Sequence, residues 1–298
     1  MAKKKKSKDA AASPLSPKVP LSQLLRAPVG EVDVTALQTD VAPGYPGKGK
    51  ADADAQRLAL EPVLADLQER LYAGGRSDPE TAKRVLIVLQ GMDTSGKGGV
   101  MRHAIGLVDP QGIEHTAFKA PSKEELSHHF LWRIRRALPG PGMIGIFDRS
   151  QYEDVLIVRV LNLVDEAVWG KRYDEINRFE QKLADDGYVI IKCFLHISNA
   201  EQKARLAERL ANPEKYWKYN PGDVDSRSKW PAYMEAYADL LERCNPDSAP
   251  WYVIPSDKKW YRNWAVAELL RERLAELGLE WPEADFDVEV EKLRVEQS

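Results

Sequence analysis

Apolar residues recur with a helical period from about Gln56 onward. Leu60, Val63, Leu64, Leu67 and Leu71 share one face, and Gly74-Gly75 is expected to end that helix. The run Val85-Leu86-Ile87-Val88-Leu89 then breaks the period and reads as a strand buried on both faces. Further strand-like runs are Ile113 to Phe118, Met143 to Phe147, Tyr188 to His196 and Trp251 to Ile254, with helical patterns between them. Ser122 and Glu125 have capping-box spacing, which predicts a helix through about Arg136. Asn199 is placed to cap a helix to about Leu210, and Lys258 to Leu277 is amphipathic with aromatic anchors. Strands alternating with helices imply βαβ units, so the expected fold class is α/β, a three-layer α/β/α sandwich on a mainly parallel sheet.

Residues 1 to about 54 read differently. Pro14, Pro17, Pro20, Pro28, Pro43 and Pro46 interrupt any helix, and Lys3 to Lys6 make the start basic. The expectation is a flexible, proline-rich arm before one domain over 55–298, with Leu21, Leu24 and Leu25 available to pack on the body or on a neighbouring subunit.

Composition narrows the class. At 298 residues, 43% hydrophobic and 30% charged, the chain can bury a substantial core. Lys and Arg total 43 against 46 Asp and Glu, a net charge of -3, which argues against a protein that coats nucleic acid. Cys193 and Cys244 form neither a disulfide framework nor a zinc cluster and suit a reducing compartment. No apolar run approaches the roughly 18 residues of a membrane helix, and no apolar stretch follows the N-terminal lysines. A cytoplasmic protein with no nucleic-acid or membrane partner is expected. The histidines lack zinc-ligand spacing, and Trp132, Trp169 and Trp251 read as core or interface anchors.

The strongest chemical signal is Gly91-Met92-Asp93-Thr94-Ser95-Gly96-Lys97-Gly98-Gly99, between a predicted strand and a predicted helix. It matches G-x-x-x-x-G-K, a loop whose backbone amides wrap an anion while the lysine adds a point charge. Two features depart from an ordinary nucleotide loop. Gly98 replaces the hydroxyl that would ligate Mg²⁺, and Asp93 puts a carboxylate where phosphate oxygens would sit. Asp93 therefore either helps hold Mg²⁺ or accepts a proton or hydrogen bond from an incoming phosphate. A second acid, Asp148, ends the predicted strand Met143 to Phe147, with Arg149 beside it as a phosphate clamp. The bland reading of Asp148 is a helix cap near Ser150. A third element is basic: Lys203, Arg205, Arg209, Lys215, Lys218, Arg227 and Lys229, interleaved with Tyr216, Trp217, Tyr219 and Trp230. Such a segment often closes as a lid over a transferring phosphoryl group.

With those blocks in hand, the sequence resembles the polyphosphate kinase 2 family from about residue 55 to about 280. The resemblance rests on Gly91 to Gly99, Asp109-Pro110-Gln111-Gly112, Phe118-Lys119-Ala120-Pro121, Phe130-Leu131-Trp132-Arg133, Asp148 to Val160 and Trp251 to Arg262. It implies a P-loop kinase fold with a helical lid at about 203–230, reversible phosphoryl transfer between inorganic polyphosphate and nucleotides, and Mg²⁺ or Mn²⁺ as cofactor. By position it implies a catalytic set of Asp93, Lys97, Asp148, Arg149 and Arg209, with Asp93 and Asp148 on the metal. Polyphosphate is expected along Thr94, Ser95, Gly96, Gly98, Gly99, Arg102 and Arg205, and the nucleotide near Met92, Lys119, Ala120, Pro121 and Glu125. Homodimers or homotetramers are implied as well. The strings are similar to the class III members, which act on both mono- and diphosphates, except that this class commonly carries asparagine where this chain has Asp148. ADP is thus the expected acceptor, with AMP and GDP as further candidates. The competing enzyme class is a conventional ATP-dependent nucleotide or metabolite kinase, which Gly98 argues against. A non-catalytic binding protein is disfavoured because Asp93, Lys97 and Asp148 occur together.

Overall fold

The computed structural model describes residues 17–298. Five strands form one parallel sheet in the order β2-β3-β1-β4-β5, with β1 (Arg84–Gln90) at the centre, β2 (Ile113–Ala117), β3 (Ile144–Asp148), β4 (Tyr188–His196) and β5 (Trp251–Pro255). Each central strand buries alternate side chains on opposite faces. Val85, Ile87, Leu89, Ile146 and Ile191 face the helices Glu61–Ser77, Lys97–His103 and Lys259–Ala275. Leu86, Val88, Phe147, Ile190 and Phe194 face Glu166–Asp185 and Trp230–Arg243. The result is the expected three-layer α/β/α sandwich.

Local boundaries differ from the sequence expectation in instructive ways. Gly74-Gly75 does not end its helix, which runs to Ser77. A Cβ on Gly75 would lie 2.4 Å from the Pro141 carbonyl oxygen and 2.6 Å from Gly142 Cα, so that glycine serves a close approach instead. The capping box of Ser122 and Glu125 forms as expected, yet the helix stops at Leu126 and a separate one spans Trp132–Arg136. Ser127 Oγ bonds back to the Glu124 carbonyl at 2.7 Å, a local alternative to continued helix. Ser198, rather than Asn199, caps the following helix by accepting from Glu201 N at 3.0 Å.

Residues 17–54, expected as arm, lie against the domain. Ala27 N donates to Trp251 O and Leu25 O accepts from Val253 N, both at 2.8 Å, so a short antiparallel bridge runs along β5. Leu21, Leu25, Ala27, Val32 and Val34 are buried, and Glu272 accepts from Leu21 N at 2.6 Å and Ser22 N at 2.9 Å. The basic start at Lys3 to Lys6, with Pro14, lies outside the described residues. Among the described residues, no helix is long and apolar enough to cross a membrane.

One polar network penetrates the core. Lys192 of β4 and Glu180 are both wholly buried and 2.6 Å apart. Lys192 also donates to Tyr152 Oη and Cys244 O, each at 2.8 Å, while Glu180 accepts from Gln151 Nε2 at 2.8 Å and Tyr152 Oη at 2.7 Å. Every ammonium proton therefore has a partner, which is the condition under which a buried pair is tolerated. Removing one partner leaves the other charge uncompensated. Glu180→Ala should lower unfolding free energy by about 3–5 kcal/mol in denaturant titrations, with a smaller loss in the double variant Lys192→Met/Glu180→Leu. Equal losses in the two proteins would contradict this account of the pair.

Candidate active site

The phosphate loop begins where β1 ends. Gly91 turns the chain at φ +152°, and a Cβ there would meet the Leu195 carbonyl at 2.6 Å. Gly96, at φ +109°, is the left-handed residue from which helix Lys97–His103 starts. Lys97 Nζ bends back onto the Gly91 carbonyl at 3.0 Å, holding its charge over the loop. A Cβ on Gly98 would meet open space.

Register brings the second acid to this loop. Leu89 pairs with Asp148 across β1 and β3, and Arg149 N donates to Leu89 O at 3.0 Å. Arg149 then leaves the sheet at φ +66°, a left-handed conformation that costs a non-glycine residue about 1–3 kcal/mol. Its side chain pairs with Asp93 at 3.1 Å. Burial works against the charge on Arg149, but Glu153, Asp93 and Asp148 outweigh it and raise its pKa.

The lid supplies the third wall. Arg209, near the end of helix Asn199–Ala211, donates to Lys218 O at 2.8 Å and pairs with Asp223 at 3.2 Å. Asp93, Lys97, Arg102, Asp148, Arg149 and Arg209 line one cavity of about 670 Å³. Thr94, Gly96, Gly98, Gly99 and Lys119 complete its wall, and the exposed Trp217 stands at its rim. The structure thus brings the whole expected catalytic set to a single cleft.

Other expected site residues are placed elsewhere. Arg205 does not line the cleft. It is 5% exposed, and its guanidinium donates to Thr94 O at 2.8 Å, Ser95 O at 3.2 Å, Ser256 O at 2.6 Å and Asp257 O at 3.0 Å. It braces the loop from behind, with its guanidinium spent on these carbonyls. The Ser95 side chain is likewise wholly buried beneath the loop. Met92 packs into the core, so its side chain gives a nucleotide no surface. Lys119, Ala120 and Glu125 share a neighbouring cavity of about 410 Å³ with Arg133 and Arg136, while Pro121 and Glu125 border a smaller one of about 120 Å³. Glu125 is engaged in the capping box, where it accepts from Ser122 N at 2.7 Å.

Three charged residues of the site region escape the sequence reading. Asp223, in the first turn of helix Gly222–Ser228, has its pKa raised by burial and then by Asp93, against the pull of Arg209. Glu153 is raised by burial, with Arg149 and Lys97 opposing. The Gln90 side-chain amide, turned with its oxygen to Ser150 and its nitrogen to Glu153, meets both at 3.1 Å. Arg262, from helix Lys259–Ala275, reaches the back of the loop. Glu153 and Arg262 carry a sequence signal in that they lie within the distinctive blocks Asp148 to Val160 and Trp251 to Arg262, whereas Asp223 lies in neither.

The family profile of Polyphosphate kinase 2 matches residues 49–278. The chain belongs to the polyphosphate kinase 2 family. An AMP/ADP-polyphosphate phosphotransferase from Meiothermus ruber is 44% identical over 87% of this chain and 94% of its own length. An ADP-polyphosphate phosphotransferase from Rhodopseudomonas palustris is 40% identical over 86% and 91%. The crystal structure of Polyphosphate Kinase 2 from Arthrobacter aurescens TC1 superposes with a TM-score of 0.90 at 46% identity, covering 95% of this chain and 98% of that one. This family member is accordingly an enzyme, a polyphosphate:nucleotide phosphotransferase, and the conventional ATP-dependent kinase is not favoured.

Because the folded pKa of Glu153 is raised, the neutral carboxyl contributes stability that is fully present below the unfolded pKa and lost as pH rises through the folded value. Glu153→Gln should gain thermal stability relative to the parent as pH climbs through that window. A stability difference that does not vary with pH would contradict the placement of this carboxyl.

Proposed function

We propose that this kinase uses inorganic polyphosphate to convert ADP to ATP, with GDP as a second acceptor and AMP as a poorer one. The observation that carries this reading is the single cleft in which an amide-lined loop, three carboxylates (Asp93, Asp148 and Asp223) and three arginines (Arg102, Arg149 and Arg209) converge. Lys97 and the loop amides hold the terminal phosphates of the polymer. Arg149 and Arg209 stabilise charge on the transferring group, since phosphoryl transfer proceeds through a loose transition state governed by position and charge. The acceptor phosphate is already deprotonated near neutral pH, so no strong general base is needed. Polyphosphate resembles a nucleic-acid backbone in charge density, and its binding should weaken with salt.

The donor chemistry fits a hard divalent cation, Mg²⁺ or Mn²⁺. Asp93 and Asp148 offer carboxylate oxygens on one wall beside the phosphate loop. Among the described residues no cluster of three His, Cys, Asp or Glu side chains forms a cage. That suits an ion which keeps waters and takes the rest of its ligands from phosphate. Bound there, the cation would neutralise charge on the phosphate oxygens. Asp93 and Asp148 would hold it, next to the Arg149 guanidinium that pairs with Asp93 at 3.1 Å.

Acceptor range turns on Asp148. The Meiothermus relative is named for both AMP and ADP and the Rhodopseudomonas relative for ADP alone. An additional negative charge at the end of β3, where class III members commonly carry asparagine, favours the acceptor that needs one phosphoryl step. Product analysis with long-chain polyphosphate, Mg²⁺ and, separately, AMP, ADP, GMP and GDP should show ATP forming fastest from ADP. Asp148→Asn should raise the rate with AMP relative to ADP, and an unchanged ratio would remove Asp148 as the determinant. Asp93→Asn and Arg209→Ala should each lower turnover about 10²-fold or more, and near-parental rates in both would overturn the role assignment.

A further inference from the structure

Behind the phosphate loop lies a charge with no part in the chemistry above. Arg262 is 3% exposed. Its Nη1 donates to Ser95 O at 3.1 Å, and Nη2 and Nε donate to Asn263 Oδ1 at 2.8 and 3.3 Å. The guanidinium fills the space in which Gly96 and Gly99 would carry a Cβ, at 1.8 and 2.4 Å. These two glycines of the loop are thus matched to one arginine on a helix more than 150 residues away in sequence.

The electrostatics of this position are unusual. Burial, with Arg205 alongside, pushes the Arg262 guanidinium down to about 9, and no carboxylate opposes that shift. Arg205 is itself paired once, with Glu201 at 2.7 Å. Among the described residues, the two guanidiniums behind the loop thus share one ion-paired carboxylate, for Asp257 gives Arg205 only its carbonyl and turns its carboxylate to Ser198 N and Thr39 Oγ1. Arginine keeps its proton at any working pH, so the unmet demand is for a negative charge. A buried charge without a counter-ion destabilises the fold until one arrives. The open side is the cleft. A trans peptide sets its C=O and N–H on opposite sides. With the Ser95 carbonyl turned to Arg262, the Gly96 N–H points away from the two arginines, and Gly96 lines the cavity.

We propose that Arg262 is a positioning residue for polyphosphate: it orients the Ser95–Gly96 peptide toward the cleft and leaves an uncompensated positive charge behind the loop that the incoming polyanion neutralises. The inference rests on the reading of the cleft as the polyphosphate site. Glu201 tunes the same balance with opposite sign, since it is the carboxylate that offsets Arg205.

The test uses the full chain, with steady-state kinetics and thermal melts with and without tripolyphosphate as the probe. Arg262→Gln should raise the KM for polyphosphate roughly tenfold, the order expected of one charge acting through protein rather than water. The KM for ADP should stay within about twofold, because the lost charge lies on the polymer side of the cleft. Without ligand its melting temperature should equal or exceed that of the parent, while the rise caused by tripolyphosphate should shrink. Arg262→Lys, which keeps the charge, should restore most of the polyphosphate KM. Glu201→Gln should move the other way, lowering the polyphosphate KM about two- to threefold. It carries the test if Arg262→Gln does not fold. Equal changes in both KM values with a lowered ligand-free melting temperature and no rescue by lysine would overturn the proposal. So would a polyphosphate KM in Glu201→Gln that is unchanged or raised. A parent protein that neither turns over polyphosphate nor is stabilised by tripolyphosphate would instead overturn the reading of the cleft itself.

Discussion

The site depends on one backbone contact, the hydrogen bond from Arg149 N to the Leu89 carbonyl at the top of the β1–β3 ladder. It holds the chain that has just left β3 against the chain about to enter the phosphate loop. Asp148 and Asp93 come from segments far apart in sequence, and parallel pairing puts them on one wall. A one-residue slip in that pairing would turn Asp148 to the other face of the sheet. The slip is opposed by apolar residues buried on both faces of β1 and β3 and by the network of Lys192, Glu180, Tyr152 and Gln151, which anchors the chain just after the corner.

Backbone strain is concentrated where the ligands would sit. Thr94 and Arg149, neither of them glycine, both adopt left-handed φ angles; Thr94 directly follows Asp93, and Arg149 is that carboxylate's ion-pair partner. Arg205 and Arg262 hold the loop from the far side through its carbonyls. The loop is thus clamped from behind while its glycine-lined face stays clear, an arrangement that suits a ligand recognised by backbone more than by side chains.

Much of this was legible in the sequence, for definable reasons. The five strands lie close to where their apolar runs place them, because a strand buried on both faces leaves an unbroken hydrophobic signature. The phosphate loop and Asp148 were readable because their residues are local in sequence and end predicted strands. Arg205 and Arg209 show the limit. They sit four residues apart on one helical face, yet one passes beneath Thr94 while the other reaches the cleft. Which of them meets solvent depends on how far along the helix the loop crosses, and that is a tertiary fact. Asp223 carries no local signal, and Arg262 shows only as the end of the block Trp251 to Arg262, with nothing local to place it behind the loop. Gly75 was misread as a helix end because a glycine required for close approach looks the same in sequence as one required for a turn.

The segment around Arg26 has a further meaning. β5 is one of the two edge strands, and an open strand margin is a template on which another molecule can add itself. Residues 25–27 occupy that margin with a short stretch running against the direction of the sheet. A proline-studded stretch that looks dispensable is in this respect a selvedge, keeping the fabric of the sheet from being extended by its neighbours.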